Sequence, residues 1–313
     1  MPNWKVIIAD GLSQKGKTIL STDADVNDRS GISAEELLET IRDCNALIVR
    51  GRTKVTANLL EAAPNMKVVG RAGVGVDNID LAAAQSRGVI VVNTPTATTI
   101  AVAEHTLALM LSLVRHIARA DSSMKSGLWH KKQLAGTELY AKTLGIIGMG
   151  QIGSGVAQRA AAFGTTILGY DPFLDDAAIR QRGAQPAALN DLLAQSDLIS
   201  LHIPLTPETR GMINGQTIGL MKRGGYLICA ARGGIIDETA LLNALESGQI
   251  AGAALDVFSS EPPGLTALVA HPNVVATPHI GAQTSEAQDR AAVDISEEVL
   301  AALNGEPLRW KIV

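Results

Sequence analysis

The 313-residue chain is poor in cysteine, with two only, Cys44 and Cys229, far apart in sequence. Such a pair is neither a disulfide framework nor a zinc ligand set, so the sequence predicts a reducing compartment and no metal. There is no excess of positive charge, with 27 Lys and Arg against 31 Asp and Glu and a formal net charge of −4. Without a long basic run, no nucleic-acid partner is expected. The segment MPNWKVIIADGLSQKG lacks the apolar core and cleavage site of a secretory leader. The most apolar long stretch, Ile100 to Val114, is interrupted by Glu104 and His105 and is too short to cross a bilayer, so no membrane partner is expected. No short repeat or low-complexity tract is visible. These absences predict a soluble, cytoplasmic chain that acts on a small molecule.

What is present centres on Lys142 to Pro172, KTLGIIGMGQIGSGVAQRAAAFGTTILGYDP. Gly148, Gly150 and Gly153 stand in G-x-G-x-x-G spacing after an apolar run, Leu144 to Ile147, that reads as a buried strand. Ile152, Val156, Ala160 and Phe163 then recur at helical spacing, and a second apolar run, Thr166 to Tyr170, ends on Asp171. Gly148 permits the tight strand-to-helix turn, Gly150 lets a pyrophosphate approach the backbone, and Gly153 lets helix and strand pack closely. The helix start offers unpaired N–H groups to phosphates. Asp171 would accept hydrogen bonds from ribose hydroxyls and repel a 2′-phosphate, so the expected cofactor is NAD rather than NADP.

Around this unit, strands and helices alternate, which implies parallel sheets with helices on their faces. Before it, strands are predicted at 5–9, 46–49, 66–70 and 89–92, and helices at 57–63, at 81–86 and after Ser33, where Ser33 and Glu36 form a capping box. A long helix over 96–119 carries Val102, Leu107, Leu109, Met110, Leu113 and Ile117 on one side. Such a helix needs partners on more than one face, and it is expected to bridge two domains and pack on a second subunit, as a homodimer or homotetramer. The region 124–138 reads as a polar loop carrying Trp129, His130, Lys131 and Lys132. The last helix, 285–303, has Ala291, Ile295, Val299 and Leu303 on one stripe and should return to the first region. The expected fold class is therefore α/β with two doubly wound domains. A Rossmann dinucleotide-binding domain, 98–285, is inserted into a flavodoxin-like substrate-binding domain, 1–97 plus 286–313.

In open α/β sheets ligands lie beyond the carboxyl ends of the strands. Arg232, Glu261 and His279 fall at or just after predicted strand ends. Arg232, followed by Gly233-Gly234, can hold a carboxylate bidentately. His279 can take a hydroxyl proton while hydride leaves the same carbon, and Glu261 can hold its other ring nitrogen and fix the tautomer. His202 also ends a strand and competes for the same role, whereas His105 and His116 read as packing or surface residues of the long helix and His130 and His271 as loop residues. Gly73-Val74-Gly75 reads as an anion nest at a helix start that offers backbone N–H groups to a substrate carboxylate. Arg50, Arg52 and Arg71 sit at strand ends of the first domain and suit a phosphorylated substrate, and Lys131 and Lys132 can add charge, from this chain or from a partner subunit.

Five ordered stretches resemble the D-isomer-specific 2-hydroxyacid dehydrogenases, and within them the D-3-phosphoglycerate dehydrogenases. They are GRAGVGVDNID (Gly70 to Asp80), LGIIGMGQIG (Leu144 to Gly153), ARGGIIDE (Ala231 to Glu238), GAALDVFSSEPP (Gly252 to Pro263) and PHIGAQTSEAQ (Pro278 to Gln288). The resemblance implies that Arg232 binds the carboxylate, Glu261 supports the histidine, and His279 is the acid/base. It implies further cofactor contacts at Val74, Gln151, Ile152, Ile203, Ala230, Asp256, His279 and Gly281, and substrate contacts at Arg50 and Arg71. The expected reaction is NAD-dependent oxidation of 3-phospho-D-glycerate to 3-phosphooxypyruvate, drawn forward by a transamination to serine. A glyoxylate or hydroxypyruvate reductase on the same scaffold is an alternative, and an NAD-sensing corepressor-like binding protein is another. Three departures from the family pattern stand out. Gln151 replaces an arginine and removes a charge from the pyrophosphate site, Cys229 replaces an asparagine and its side-chain hydrogen bond, and Val74 replaces a threonine. The sequence stops at Val313, so no C-terminal regulatory domain and no serine feedback through one are expected.

Overall fold

The computed structural model describes residues 3–313. The chain forms two compact units, one of residues up to Thr99 together with Ala282–Val313, the other of Ile100–Gly281. The chain thus crosses between units at 99/100 and 281/282, against the expected 97/98 and 285/286. The first crossing coincides with the start of a helix at Thr99, and the second lies before the cap of the last helix.

The first unit holds a parallel sheet of β1 (Trp4–Ile8), β2 (Ala24–Asp28), β3 (Ala46–Val49), β4 (Val68–Arg71) and β5 (Ile90–Asn93), in the order β2-β1-β3-β4-β5. This is the flavodoxin-like order, with its switch point between β1 and β3. Between the strands lie α1 (Gln14–Leu20), α2 (Ala34–Thr40), α3 (Ala57–Glu61) and α4 (Leu81–Ser86). Side chains that alternate along the strands build two cores. Ile7, Leu47, Val69 and Val91 face Leu37, Leu59, Leu60 and Ala84. Val6, Ile8, Ile48 and Val68 face the opposite way. Each such burial stabilises the unit by roughly 1.5–3 kcal/mol. The expected capping box is present, with Ser33 accepting from Glu36 N and the Glu36 side chain accepting from Ser33 N.

In the second unit α5 (Thr99–Val114) and α6 (Ile117–Lys125) precede a parallel sheet of β6 (Thr143–Ile147), β7 (Thr166–Tyr170), β8 (Gln185–Pro186), β9 (Leu198–Leu201), β10 (Gly225–Cys229), β11 (Ile250–Leu255) and β12 (Val274–Ala276). The helices α7 (Gln151–Ala161), α8 (Asp176–Gln181), α9 (Leu189–Gln195), α10 (Gly215–Leu220) and α11 (Glu238–Glu246) join them. The order β12-β11-β10-β9-β6-β7-β8 is the doubly wound dinucleotide order with one added edge strand, and it reverses between β6 and β9. One face packs on α9, α10 and α11 through Leu192, Ile218, Leu241 and Leu245. The other packs on α5 and α7 through Leu107, Met110, Leu113, Val156 and Ala160. Back in the first unit, α12 (Ser285–Asn304) lays Ala291, Ile295, Val299 and Leu303 onto the second core. Gly70 makes this possible, because a Cβ there would lie 2.6 Å from Val299 Cγ2.

Several expectations are corrected. The single helix over 96–119 is two helices, α5 and α6, bent by 65°. His116 makes the break, in a left-handed conformation with φ of 54°, and Thr137 N caps the freed Val114 carbonyl at 2.8 Å. The bend turns Ile117 out of the apolar stripe, leaving it 55% exposed. Phe163 likewise lies past the end of α7 and is exposed. The region 124–138 includes the end of α6 and a short 3-10 turn, Lys131–Leu134. Two strand–helix pairs escaped the sequence reading, α1 with β2 and α8 with β8. Among the described residues no single helix is long and apolar enough to cross a membrane.

Candidate active site

Apart from Lys131 and Lys132, which precede β6, every candidate of the second unit follows the carboxyl end of a strand. After β6, Gly148 takes φ of +93°, and its Cβ position would lie 2.6 Å from the His202 carbonyl oxygen, so no other residue suits the turn. Gly153 packs on the Gly148 carbonyl, where a side chain would collide. Gly150 faces open space, with nothing within 4 Å of a Cβ, and it caps α7 without a side-chain bond. The first-turn N–H groups of α7 and this bare glycine together fit a pyrophosphate. Gln151 is exposed and Ile152 half-buried at the head of the helix. Asp171, at the end of β7, turns back to the same loop: Oδ2 accepts from Met149 N at 3.0 Å and Oδ1 from Phe173 N at 3.0 Å. Ile203 and Ala230 follow β9 and β10, the former buried and the latter half-buried.

The other strand ends carry the ionisable groups. Arg232 follows β10 and donates from Nη1 to the Ala231 carbonyl at 2.7 Å. Gly233 must be glycine because any Cβ would strike the Phe258 carbonyl, and this approach brings the arginine turn against the segment after β11. Glu238 ties the same two segments, accepting from Ser259 N at 2.6 Å. Glu261 accepts from Phe258 N through Oε1 at 3.1 Å, and its Oε2 lies 2.7 Å from His279 Nδ1. Half of the His279 side chain, 49%, remains exposed. The carboxylate holds Nδ1 as the donor, which leaves Nε2 as the ring's acceptor.

His279 stands in a left-handed conformation, φ 54°, in a turn that a buried carboxylate holds. Asp256 is 1% exposed. It accepts from Thr277 Oγ1 at 2.6 Å, Ile280 N at 2.9 Å and Gly281 N at 2.8 Å, and His105 Nε2 lies 3.3 Å away. Burial pushes its pKa up, but the hydrogen bonds from His105, Thr277, Ile280 and Gly281 outweigh this and hold it below the ordinary aspartate value. Asp256 therefore anchors the turn that presents His279. His105, expected to be a packing residue, belongs to this anchor.

His202, the competing histidine, has a different environment. Its Nε2 bonds Ser200 Oγ at 2.8 Å, and burial pushes its pKa down to about 4. It is neutral near pH 7, with that nitrogen already engaged. Cys229 departs from its expected loss of a hydrogen bond. The thiol, whose pKa burial raises to about 11, lies 3.8 Å from the Arg232 carbonyl and supplies a weak S–H donor to the arginine turn.

In the first unit Asp10, at the switch point, gathers the loop after β3. It accepts from Arg50 N at 2.8 Å, Thr53 N at 3.0 Å, Thr53 Oγ1 at 2.5 Å and Arg52 Nε at 3.2 Å. Arg52 also donates to the Ala9 and Ile32 carbonyls, so its guanidinium is part of the framework. Arg50 reaches Gln288 Oε1 at 3.2 Å, and burial holds its pKa below the usual arginine value. The Gly73-Val74-Gly75 turn is not at a helix start. Residues 76–80 intervene, Val55 bridges Ile79, and α4 begins only at Leu81, capped by Asp80. The turn is braced instead by Thr94 N on the Gly73 carbonyl at 3.0 Å and Asn93 Nδ2 on the Val74 carbonyl at 2.7 Å. The Arg71 guanidinium lies over Gly73, where a Cβ would collide with it. Lys131 and Lys132 are exposed.

Residues 107–281 match the model of the D-isomer specific 2-hydroxyacid dehydrogenase family's NAD binding domain. A glyoxylate reductase from Paecilomyes thermophila superposes with TM-score 0.90 at 31% identity, covering 100% of this chain and 99% of that one. The chain belongs to the D-isomer specific 2-hydroxyacid dehydrogenases, and NAD is the cofactor. The D-lactate dehydrogenase of Aquifex aeolicus, solved with NAD and lactic acid, gives TM-score 0.84 at 31% identity over 96% of both chains. Among curated sequences, the D-3-phosphoglycerate dehydrogenase of Synechocystis is 47% identical over 305 residues, 97% of this chain but 55% of that protein. The chain thus spans little more than half the length of the curated relatives it matches.

Proposed function

We propose that the chain oxidises 3-phospho-D-glycerate to 3-phosphooxypyruvate. The observation that carries the reaction type is the Glu261–His279 pair, 2.7 Å apart beside the arginine turn. The substrate is favoured by the 47% identity to the D-3-phosphoglycerate dehydrogenase of Synechocystis. When bound, NAD supplies the hydride acceptor. Gly148, Gly150, Gly153, Gln151 and Ile152 would hold its pyrophosphate, Asp171 its adenosine ribose, and Ile203, Ala230 and Gly281 would line its course. Asp256 acts there through the turn it anchors. Arg232 holds the substrate carboxylate by paired hydrogen bonds. Nε2 of His279 takes the C2 hydroxyl proton, and Glu261 fixes the tautomer and stabilises the imidazolium that forms. We infer further substrate contacts at Arg50, Arg71 and the N–H groups of Gly73, Val74 and Gly75. Arg52 contributes by holding Asp10 and the loop that carries Arg50.

Turnover with 3-phosphoglycerate, glyoxylate, hydroxypyruvate and D-lactate, each with NAD or NADH, tests this reading. Preference for 3-phosphoglycerate by kcat/KM supports it, and preference for glyoxylate with no response to the phosphate group replaces it. The glyoxylate reading has one observation of its own, the superposition on the Paecilomyes thermophila glyoxylate reductase with TM-score 0.90 at 31% identity. An active wild type with an inactive His279→Ala variant would exclude a corepressor-like binding role. Assembly as at least a dimer is supported by the apolar side chains that α6 and the following turn expose: Ile117, Met124, Leu128 and Trp129. A cytoplasmic location fits the two reduced, buried cysteines.

A further inference from the structure

Both polar groups of one residue in the glycine turn are gripped by opposite charges. Met149, whose side chain is fully buried, gives its N–H to Asp171 Oδ2 at 3.0 Å, and its carbonyl accepts from Arg182 Nη1. Arg182 comes from a rigid stub. It closes α8, with its own N–H on the Ala178 and Ile179 carbonyls, and Gly183 follows at φ +88°. The N and O of one residue are separated by only about 3 Å, so the carboxylate oxygen and the guanidinium nitrogen that grip it sit within roughly 9 Å of each other. Both side chains are half-buried, so neither charge is fully screened by water. The trans peptide from Met149 to Gly150 points its carbonyl at Arg182 and therefore its N–H the other way.

An acidic side chain at the end of the second strand takes a ribose 2′-hydroxyl, whereas an arginine nearby accommodates a 2′-phosphate. This chain holds one of each on the same residue. We propose that Asp171 and Arg182 together set the choice at the adenosine 2′-position. Asp171 takes the hydroxyl and repels phosphate, and Arg182 is a latent phosphate-binding group whose charge the carboxylate masks. The inference rests on the glycine turn holding a dinucleotide and names a second residue that sets its specificity. Arg182 also offers a cation to this turn, whose head carries the neutral Gln151.

The test is direct binding of NAD and NADP, by titration calorimetry, to the whole chain as wild type, Asp171→Ser, Arg182→Met and the double variant. Wild type is expected to bind NAD and to bind NADP at least roughly tenfold more weakly. Asp171→Ser should tighten NADP by about tenfold or more, and adding Arg182→Met should remove that gain while changing NAD binding far less. A double variant that binds NADP as tightly as Asp171→Ser overturns the proposal, as does an Asp171→Ser variant with no gain. Asp171→Asn, nearly isosteric, is read by the same criteria if the serine variant does not fold. Failure of wild type to bind NAD would instead remove the dinucleotide reading itself, and the proposal with it.

Discussion

The ends of β9 and β12 each deliver a histidine to the same edge of one parallel sheet, and the two could hardly differ more. His202 is half-buried, bonded to Ser200, and pushed down to about pKa 4. His279 is half exposed and bonded to Glu261, and it stands on a left-handed turn that the buried Asp256 pins through Ile280 and Gly281. Position at a strand end therefore does not make a proton-transfer group. What makes one is an accessible nitrogen and a carboxylate that sets the tautomer. The anchor beneath is a third requirement, because φ of 54° is a costly conformation for a residue with a side chain.

Breaking the exposed histidine should give the largest effect. His279→Gln is expected to lower kcat by about 10²–10⁴, the usual worth of general acid–base catalysis, while His202→Gln changes kcat by less than about tenfold. Steady-state rates with saturating NAD check this. Next, Glu261→Gln leaves the ring with a partner that cannot stabilise its cation, and kcat should fall by roughly 10–10² with little change in NAD affinity. Removing the anchor sharpens the comparison on stability. Asp256→Asn turns an amide toward backbone donors and should cost about 2–3 kcal/mol in urea unfolding, with kcat lowered through misplacement of His279.

An effect of similar size belongs to pH. The folded His202 binds its proton only near pH 4, whereas the unfolded residue binds it near its model value of 6.5. Between those values the unfolded state holds more protons, so stability falls as pH falls through this window and levels below it. The shift is worth on the order of 3 kcal/mol, and His202→Gln should flatten this part of a urea-midpoint profile. Asp10 and Asp256, held below the ordinary aspartate value, add a loss on the acid side that the variant leaves in place.

Strand ends were legible because buried parallel strands are short apolar runs closed by a polar residue: Leu144 to Ile147 before Gly148, or Gly225 to Cys229 before the arginine turn. The helices with a patterned face, α7 and α12, were legible for the same reason. Helix α1 was not. Its sequence, QKGKTIL, is polar and interrupted by Gly16, and it holds because that glycine lets it lie against α12, where a Cβ would sit 2.6 Å from the Ala292 carbonyl. The break at His116 has no proline or glycine to announce it and follows from the loop that caps Val114. Arg232, Glu261 and His279 stood out by residue type and neighbours. The partners of Asp256 did not, since His105 and Thr277 join it only when α5 and the end of β12 meet. Arg182 lies more than thirty residues from the turn it grips and carries no motif.

The central claim is that His279, held by Glu261, carries the proton. The pH dependence of kcat/KM for oxidation of 3-phosphoglycerate, measured in wild type, His279→Gln and His202→Gln, tests it most directly. Oxidation needs a neutral imidazole, so the rate should fall toward acid pH in wild type and in His202→Gln. The much slower His279→Gln should lack that fall. An acid limb that persists in His279→Gln and disappears in His202→Gln would contradict the account.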